Sequence, residues 1–196
     1  MSGQIFVGLG ANLGDPREAL QVALAALARL PQTALLAVSP FYRTAPVEAS
    51  GPDFINAVAE LKSRLEPLAL LRAMQRIEAA HGRQRPYRNA PRTLDLDLLL
   101  VGQQVIDSPL SQPVLHLPHP RLHQRAFVLR PLLDLAPDVQ HPLLGLLRDQ
   151  WPAVADQVLQ RLSPGEGWTP PQRRQSAASA NVPALSPVAA GIDVRP

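Results

Sequence analysis

Four short stretches of the chain carry a strand pattern and two longer ones a helical pattern. The clearest alternation spans 93–101, where Leu94, Leu96, Leu98 and Leu100 fall on one face and Asp95 and Asp97 on the other. The stretch 53–61 divides as cleanly, with Ile55, Ala57, Ala59 and Leu61 opposite Phe54, Asn56, Val58 and Glu60. Apolar runs at 4–10 and 34–42 predict two further strands. Between them, Asp15-Pro16-Arg17-Glu18 reads as a helix start, with Asp at the N-cap, Pro at the first helical position and Glu at the third. That helix carries Leu20, Val22, Ala23, Leu24, Leu27 and Leu30 and stops before Pro31. A second helix opens at Pro67 and runs to about 80, with Gly82 as its stop.

The predicted order, β-α-β-β-α-β, is the split βαβ or ferredoxin-like arrangement of an α+β protein, with both helices on one sheet face. The other face is then left for a ligand or a covering segment. Beyond the core, the pattern predicts a short strand at 104–106, a partly helical stretch at 122–135 and an amphipathic helix over 143–162, broken near Pro152. From about residue 164 onward Ser, Ala, Pro, Gln and Arg dominate without apolar periodicity. The expected organisation is one folded domain over 1–163 and a disordered tail over 164–196.

Composition narrows the chemistry. There are no cysteines, so a thiol nucleophile, a disulfide framework and a cysteine-bound zinc are excluded. No apolar run is long enough to cross a membrane, and residues 1–7 lack the pattern of a leader, so the cytoplasm is the expected location. Of 19 basic residues only Lys62 is a lysine, and the net charge is only +3, a weak field for a nucleic-acid binder. A Walker loop is absent, and Gly8-Leu9-Gly10-Ala11-Asn12-Leu13-Gly14 is one residue too long for a dinucleotide fingerprint. It reads instead as a tight strand-to-helix turn.

The candidate chemistry lies around residue 95. Asp95 and Asp97, on one strand face, stand about 7 Å apart, and a divalent cation would relieve their repulsion. The segment just before them, 81–92, holds Arg83, Arg85, Arg88 and Arg92 and no acid. Guanidinium groups suit phosphate oxygens and carboxylates suit the cation, so the pair of segments reads as a metal–polyphosphate site. Phe54 and Asn56 could floor a flat heterocycle, the ring stacking and the amide reading its edge. Gln75 and Glu78 share a polar face of the second helix. His119 and Arg125 suit phosphate contact, Phe127 offers a second aromatic, and His119 with His123 could supply two zinc ligands only if both lay on a helix.

In chain order these residues build a set of motifs: Gly8 to Asp15, Phe41-Tyr42-Arg43-Thr44-Ala45-Pro46, Asp53-Phe54-Ile55-Asn56, Gln75-Arg76-Ile77-Glu78, Gly82-Arg83 through Arg92-Thr93-Leu94-Asp95-Leu96-Asp97, and Leu117-Pro118-His119-Pro120-Arg121 with Arg125-Ala126-Phe127. Over about residues 4–160 the set resembles the 6-hydroxymethyl-7,8-dihydropterin pyrophosphokinases of folate biosynthesis. The resemblance implies Mg²⁺-dependent transfer of pyrophosphate from ATP to the hydroxymethyl group of the pterin, releasing AMP. It implies two Mg²⁺ ions on Asp95 and Asp97. The pterin would lie between Phe54 and Phe127, read by Asn56 and by groups at Thr44, Ala45 and Val47. ATP would meet Gln75, Glu78, Arg85, Arg88, Arg92, Leu98, His119 and Arg125, with Arg83 and Arg92 acting at the transferring group and the arginine segment closing as a lid. ATP and the pterin are the expected partners of a monomer, without nucleic acid or membrane. Tyr87 and Asn89 stand where many relatives carry a Trp, a departure from the pattern. The rival reading is a ferredoxin-like RNA-binding module, against which the paired carboxylates on the open face argue.

Overall fold

The computed structural model of the chain describes residues 4–46, 51–81 and 93–163. Val47, the four arginines Arg83, Arg85, Arg88 and Arg92, and the expected tail at 164–196 lie outside the described residues. The core order is β1 (Ile5–Ala11), α1 (Pro16–Ala28), β2 (Thr33–Val38), β3 (Tyr42–Thr44), β4 (Phe54–Ser63), α2 (Pro67–Ala80) and β5 (Asp95–Val101). β1 lies between β4 and β5, and β4 carries both β2 and β3 on its far edge, all pairs antiparallel. This is the predicted ferredoxin-like sheet, with its second strand divided in two.

The division occurs at Ser39-Pro40. Pro40 has no N–H for a ladder, and Ser39 repairs the gap with its side chain. Its N–H donates to the Val58 carbonyl (2.9 Å), while the Val58 N–H donates to Ser39 Oγ (3.0 Å). The single predicted strand at 34–42 therefore becomes β2 and β3, which run beside different halves of β4. Asp15 caps α1 as expected, accepting from the N–H groups of Arg17 and Glu18, and Pro16 takes the first helical position.

Two cores line the two sheet faces. Leu20, Leu24 and Leu27 of α1 and Leu70, Met74 and Ile77 of α2 pack on Ile5, Val7, Leu9, Ile55, Ala57, Ala59, Leu61, Leu94, Leu96 and Leu98. On the opposite face α3 (Ala126–Leu135) covers Phe6, Val58, Leu99 and Leu100 with Leu129 and Leu132. The expected alternation fails at Leu100. The β1–β5 register shifts between Phe6 and Val7, which pair with Leu100 and Leu98, so Leu99 is an extra residue and both it and Leu100 turn toward α3. α3 covers only part of its face, and the end bearing Phe54, Asn56, Asp95 and Asp97 holds the candidate site.

Three expectations are corrected. The strand-to-helix turn read over 8–14 is confined to its second half, since Gly8 and Gly10 lie within β1, inside the strand expected at 4–10, and Gly14 alone of the three adopts a left-handed φ of 65°. The short strand beyond the core is β6 (Ile106–Ser108), later than predicted, and it pairs with β7 (Leu115–Leu117) in a separate hairpin. The amphipathic helix over 143–162 does not form. Its place is taken by a hairpin of β8 (Gln140–His141) and β9 (Gly145–Leu146), a 3₁₀ segment Leu147–Ala153 and β10 (Gln160–Arg161), which pairs with β3. Gly145 at φ 76° and Pro152 interrupt any long helix, and the apolar residues that suggested one, Leu147 and Val154, are buried under α3 instead. No helix among the described residues is long and apolar enough to cross a membrane.

Candidate active site

The sheet register sets the floor of the site. Asn56, Gly10 and Asp95 form one row across β4, β1 and β5, and Val58, Gly8 and Asp97 form the next. With strands spaced about 4.8 Å apart, Asn56 and Asp95 stand about 10 Å from each other with only glycine between. A Cβ at Gly10 would come within 3.1 Å of Asn56 Oδ1, so glycine keeps the trough open and lets the amide lean into it. Asp95 and Asp97 are both half-buried along the opposite wall.

Asn56 is 5% exposed, and its orientation is set from behind. Nδ2 donates to the hydroxyl of buried Thr44 at 2.8 Å, which leaves Oδ1 over Gly10 as an acceptor facing the trough. Phe54 shares this sheet face, half-buried at the head of β4. Phe127, in the first turn of α3, is also half-buried, and the Arg125 guanidinium lies 5.5 Å from its ring centroid. Ala45, just beyond β3, is exposed.

His119 reaches the site from the turn after β7. Its backbone N–H donates to the Leu99 carbonyl of β5 at 2.9 Å, which ties the turn to the strand that carries Asp95 and Asp97. Its Nδ1 accepts from the Arg121 N–H at 3.2 Å, so the neutral ring keeps its proton on Nε2 as an outward donor. Burial, then Arg125 and Arg121, push its pKa down to about 4, against a weaker opposing pull from Asp95. The fold therefore favours neutral His119. Its stability contribution is complete above pH 6.5 and is lost as pH falls toward 4, because the unfolded chain takes the proton first. In an NMR titration His119 is expected to change charge near pH 4, and a midpoint near 6.5 would refute this environment.

The helix side holds a surprise. Gln75 is exposed on α2, but Glu78 is 1% exposed, so the two do not share a solvated face. The Glu78 carboxylate accepts the Leu96 N–H at 2.8 Å, between the two aspartates of β5. Through this bond Glu78 supports the strand beneath the site. The Leu98 side chain is likewise buried in the helix-side core, which leaves only its backbone for a ligand. The alternation that turns the Leu96 N–H away from β1, to Glu78, turns the Leu98 N–H and carbonyl the same way.

One anchoring group carries no sequence signal. The Tyr42 hydroxyl donates to Asp134 at 2.5 Å, Asp134 pairs with Arg130 at 3.0 Å, and Arg130 lies over the Trp151 ring. Burial first, and Asp134 second, raise the Tyr42 pKa above its usual value, so the phenol stays protonated as a donor. This group holds the far half of α3 against β3. The partners are 92 residues apart, and only the register of the folded sheet brings them together. The zinc alternative also fails: His123 lies in the 3₁₀ turn Leu122–Gln124, its ring edge-on to His141. Among the described residues no three His, Asp or Glu side chains converge as a metal cluster.

The sequence model of the 7,8-dihydro-6-hydroxymethylpterin-pyrophosphokinase family matches residues 6–137. The chain is 51% identical over 140 residues to the 2-amino-4-hydroxy-6-hydroxymethyldihydropteridine pyrophosphokinase of Pseudomonas aeruginosa, covering 71% of this chain and 84% of the relative. It is 39% identical over 160 residues to the enzyme of that name from Haemophilus influenzae, covering 81% of this chain and 98% of the relative. Among solved structures, a substrate complex of HPPK-DHPS aligns with a TM-score of 0.61 at 13% identity, over 78% of this chain and 43% of that one. The wild-type Plasmodium falciparum HPPK-DHPS aligns with a TM-score of 0.60 at 14% identity, over 78% and 44%. At such identity these two establish the shared fold, and this chain spans less than half their length. With the fold and the matched residues in agreement, the chain belongs to the 7,8-dihydro-6-hydroxymethylpterin-pyrophosphokinase family.

Proposed function

We propose that Asp95 and Asp97 hold Mg²⁺ for the reaction of this family, the transfer of pyrophosphate from ATP to the hydroxymethyl group of 6-hydroxymethyl-7,8-dihydropterin, with release of AMP. The observation that carries the reading is the glycine-floored trough, with an amide acceptor on one wall and two carboxylates on the other. Two carboxylates are hard oxygen donors, and without a third protein ligand among the described residues they leave positions open for phosphate oxygens. The bound ions would neutralise the triphosphate and polarise the bond to be broken.

The chain's own groups divide the rest. Asn56 Oδ1 accepts from the N–H edge of the pterin, with Thr44 holding the amide in register and backbone at Ala45 and Val47 completing the edge. Phe54 and Phe127 face the ring from β4 and α3. Neutral His119 donates from Nε2 to a phosphate oxygen, and Arg125, above Phe127, supplies a charge-assisted contact beside it. Arg83, Arg85, Arg88 and Arg92 complete the phosphate cradle, while Gln75 and the outward backbone of Leu98 serve the nucleoside. In such a transfer the protein mostly positions reactants and neutralises charge, and this division asks for no protein base.

Incubation with ATP, Mg²⁺ and the hydroxymethyl dihydropterin, followed by chromatography, is expected to yield AMP and the pterin diphosphate in equal amounts. Formation of ADP in place of AMP would overturn the reaction assigned.

A further inference from the structure

Arg125 is the residue before α3, and its backbone is extended (φ −127°, ψ 111°). Its carbonyl opens the helix, accepting from the N–H groups of Val128 and Leu129. Its own side chain makes no cap, so the Ala126 N–H would be an orphan donor at the helix start. A residue from outside the family match fills that role. Gln157 Oε1 accepts the Ala126 N–H at 2.9 Å, and Gln157 Nε2 donates to the Gln124 carbonyl at 3.0 Å. One side-chain amide thus bonds the peptide groups on both sides of Arg125.

Gln157 is itself held at a fixed place. Its N–H donates to the Val154 carbonyl at 3.1 Å, and Val154 is 2% exposed in the core beneath α3. Three residues further on, β10 is paired to β3, with Gln160 opposite Arg43. The segment is therefore tied at both ends, and the amide between them grips the backbone of Arg125. From that backbone the guanidinium reaches the Phe127 ring and the neighbourhood of His119.

We propose that Gln157 is a positioning residue for the pyrophosphokinase reaction: it fixes the backbone of Arg125 so that the guanidinium meets the phosphates already in place. The proposal rests on the phosphate role given to Arg125 above. It assigns work to the C-terminal segment, which lies beyond residue 137, the end of the family match. Gln157 touches no substrate, and its effect passes through Arg125.

The test is a double-mutant cycle on the full-length enzyme with ATP, Mg²⁺ and pterin. Gln157→Met keeps the length of the side chain and removes both hydrogen bonds. Because it leaves the Ala126 N–H at the helix start without its acceptor, the thermal midpoint is expected to fall by about 2–4 °C, and activities are compared well below the melting range. kcat/KM is expected to fall about tenfold, short of the hundredfold that misplacement by a full ångström can cost. Paired with Arg125→Ala, the Gln157 substitution is expected to add no further loss, since its target is already gone. An unchanged Gln157→Met enzyme beside a weakened Arg125→Ala enzyme overturns the proposal and leaves the Arg125 role standing. Equal losses in both backgrounds overturn it too, because Gln157 then acts on something else. An Arg125→Ala enzyme with full activity removes the Arg125 role and this proposal with it.

Discussion

Asp97→Ala and Asp95→Ala are each expected to give a folded protein whose AMP release falls at least about a thousandfold, equivalent to about 4 kcal/mol of lost transition-state stabilisation. Both side chains are half-buried on a face whose neighbours on β1 are Gly8 and Gly10, so truncation removes almost no packing. Strand and core are kept by Leu94, Leu96 and Leu98 on the other face. Removing one of two like charges relieves the repulsion between them, which offsets the loss of that carboxylate's own contacts, so the thermal midpoint is expected to change little. Under the proposed assignment, what is lost is half of the carboxylate donor set for Mg²⁺. Circular dichroism and thermal melting establish the fold, and rapid-quench measurement of AMP establishes the rate. Near-normal AMP formation by both variants would sink the metal assignment.

Glu78→Ala is expected to act through stability first. The carboxylate is buried and accepts the Leu96 N–H, so truncation leaves a buried donor unsatisfied and opens a cavity. Together these cost about 3 kcal/mol, which for a domain of this size lowers the thermal midpoint by about 6–12 °C. Because Leu96 stands between Asp95 and Asp97, loosening it also disturbs the wall that carries them, and activity measured well below the melting range is expected to fall as well. Glu78→Gln retains an acceptor and most of the volume, and should recover most of the stability. If Glu78→Ala melts like the parent and only its ATP affinity falls, the buried clamp is the wrong account and direct nucleotide contact is the right one.

The contrast between Asp95 and Glu78 indicates what a sequence reveals. Period-two alternation placed the aspartates on a face opposite the leucines, because strand geometry is local and regular. The face carrying Phe54 and Asn56 was legible for the same reason. Glu78 was misread because helical spacing shows which residues share a stripe, but not whether a strand edge will cover that stripe. The failed helix at 143–162 has a similar origin. A spacing of leucines and valines fits either one continuous helix or several short turns pinned to another surface, and Gly145 and Pro152 decide for the turns. Leu100 was misplaced by one extra residue in β5, and such a bulge leaves no mark in composition. Tyr42–Asp134 and Gln157–Ala126 were invisible in principle, since both contacts join positions that only the finished sheet brings near.

The central place of β1 has a consequence for the newborn chain. Both neighbours of β1 are made after it, β4 at Phe54–Ser63 and β5 only at Asp95–Val101. Val101 follows Ala11 by 90 residues (101 − 11), an interval of about 5–20 s at ordinary rates of translation. Throughout it the first strand has an open edge, and its glycines give it little inclination to settle alone. The same glycines that keep the trough open thus belong to a strand that cannot be closed in until the ribosome has delivered 90 further residues. Synonymous codons that slow elongation between β4 and β5 would lengthen this exposed period, so yield in the cell should depend on the pace of translation there even when the finished enzyme is identical.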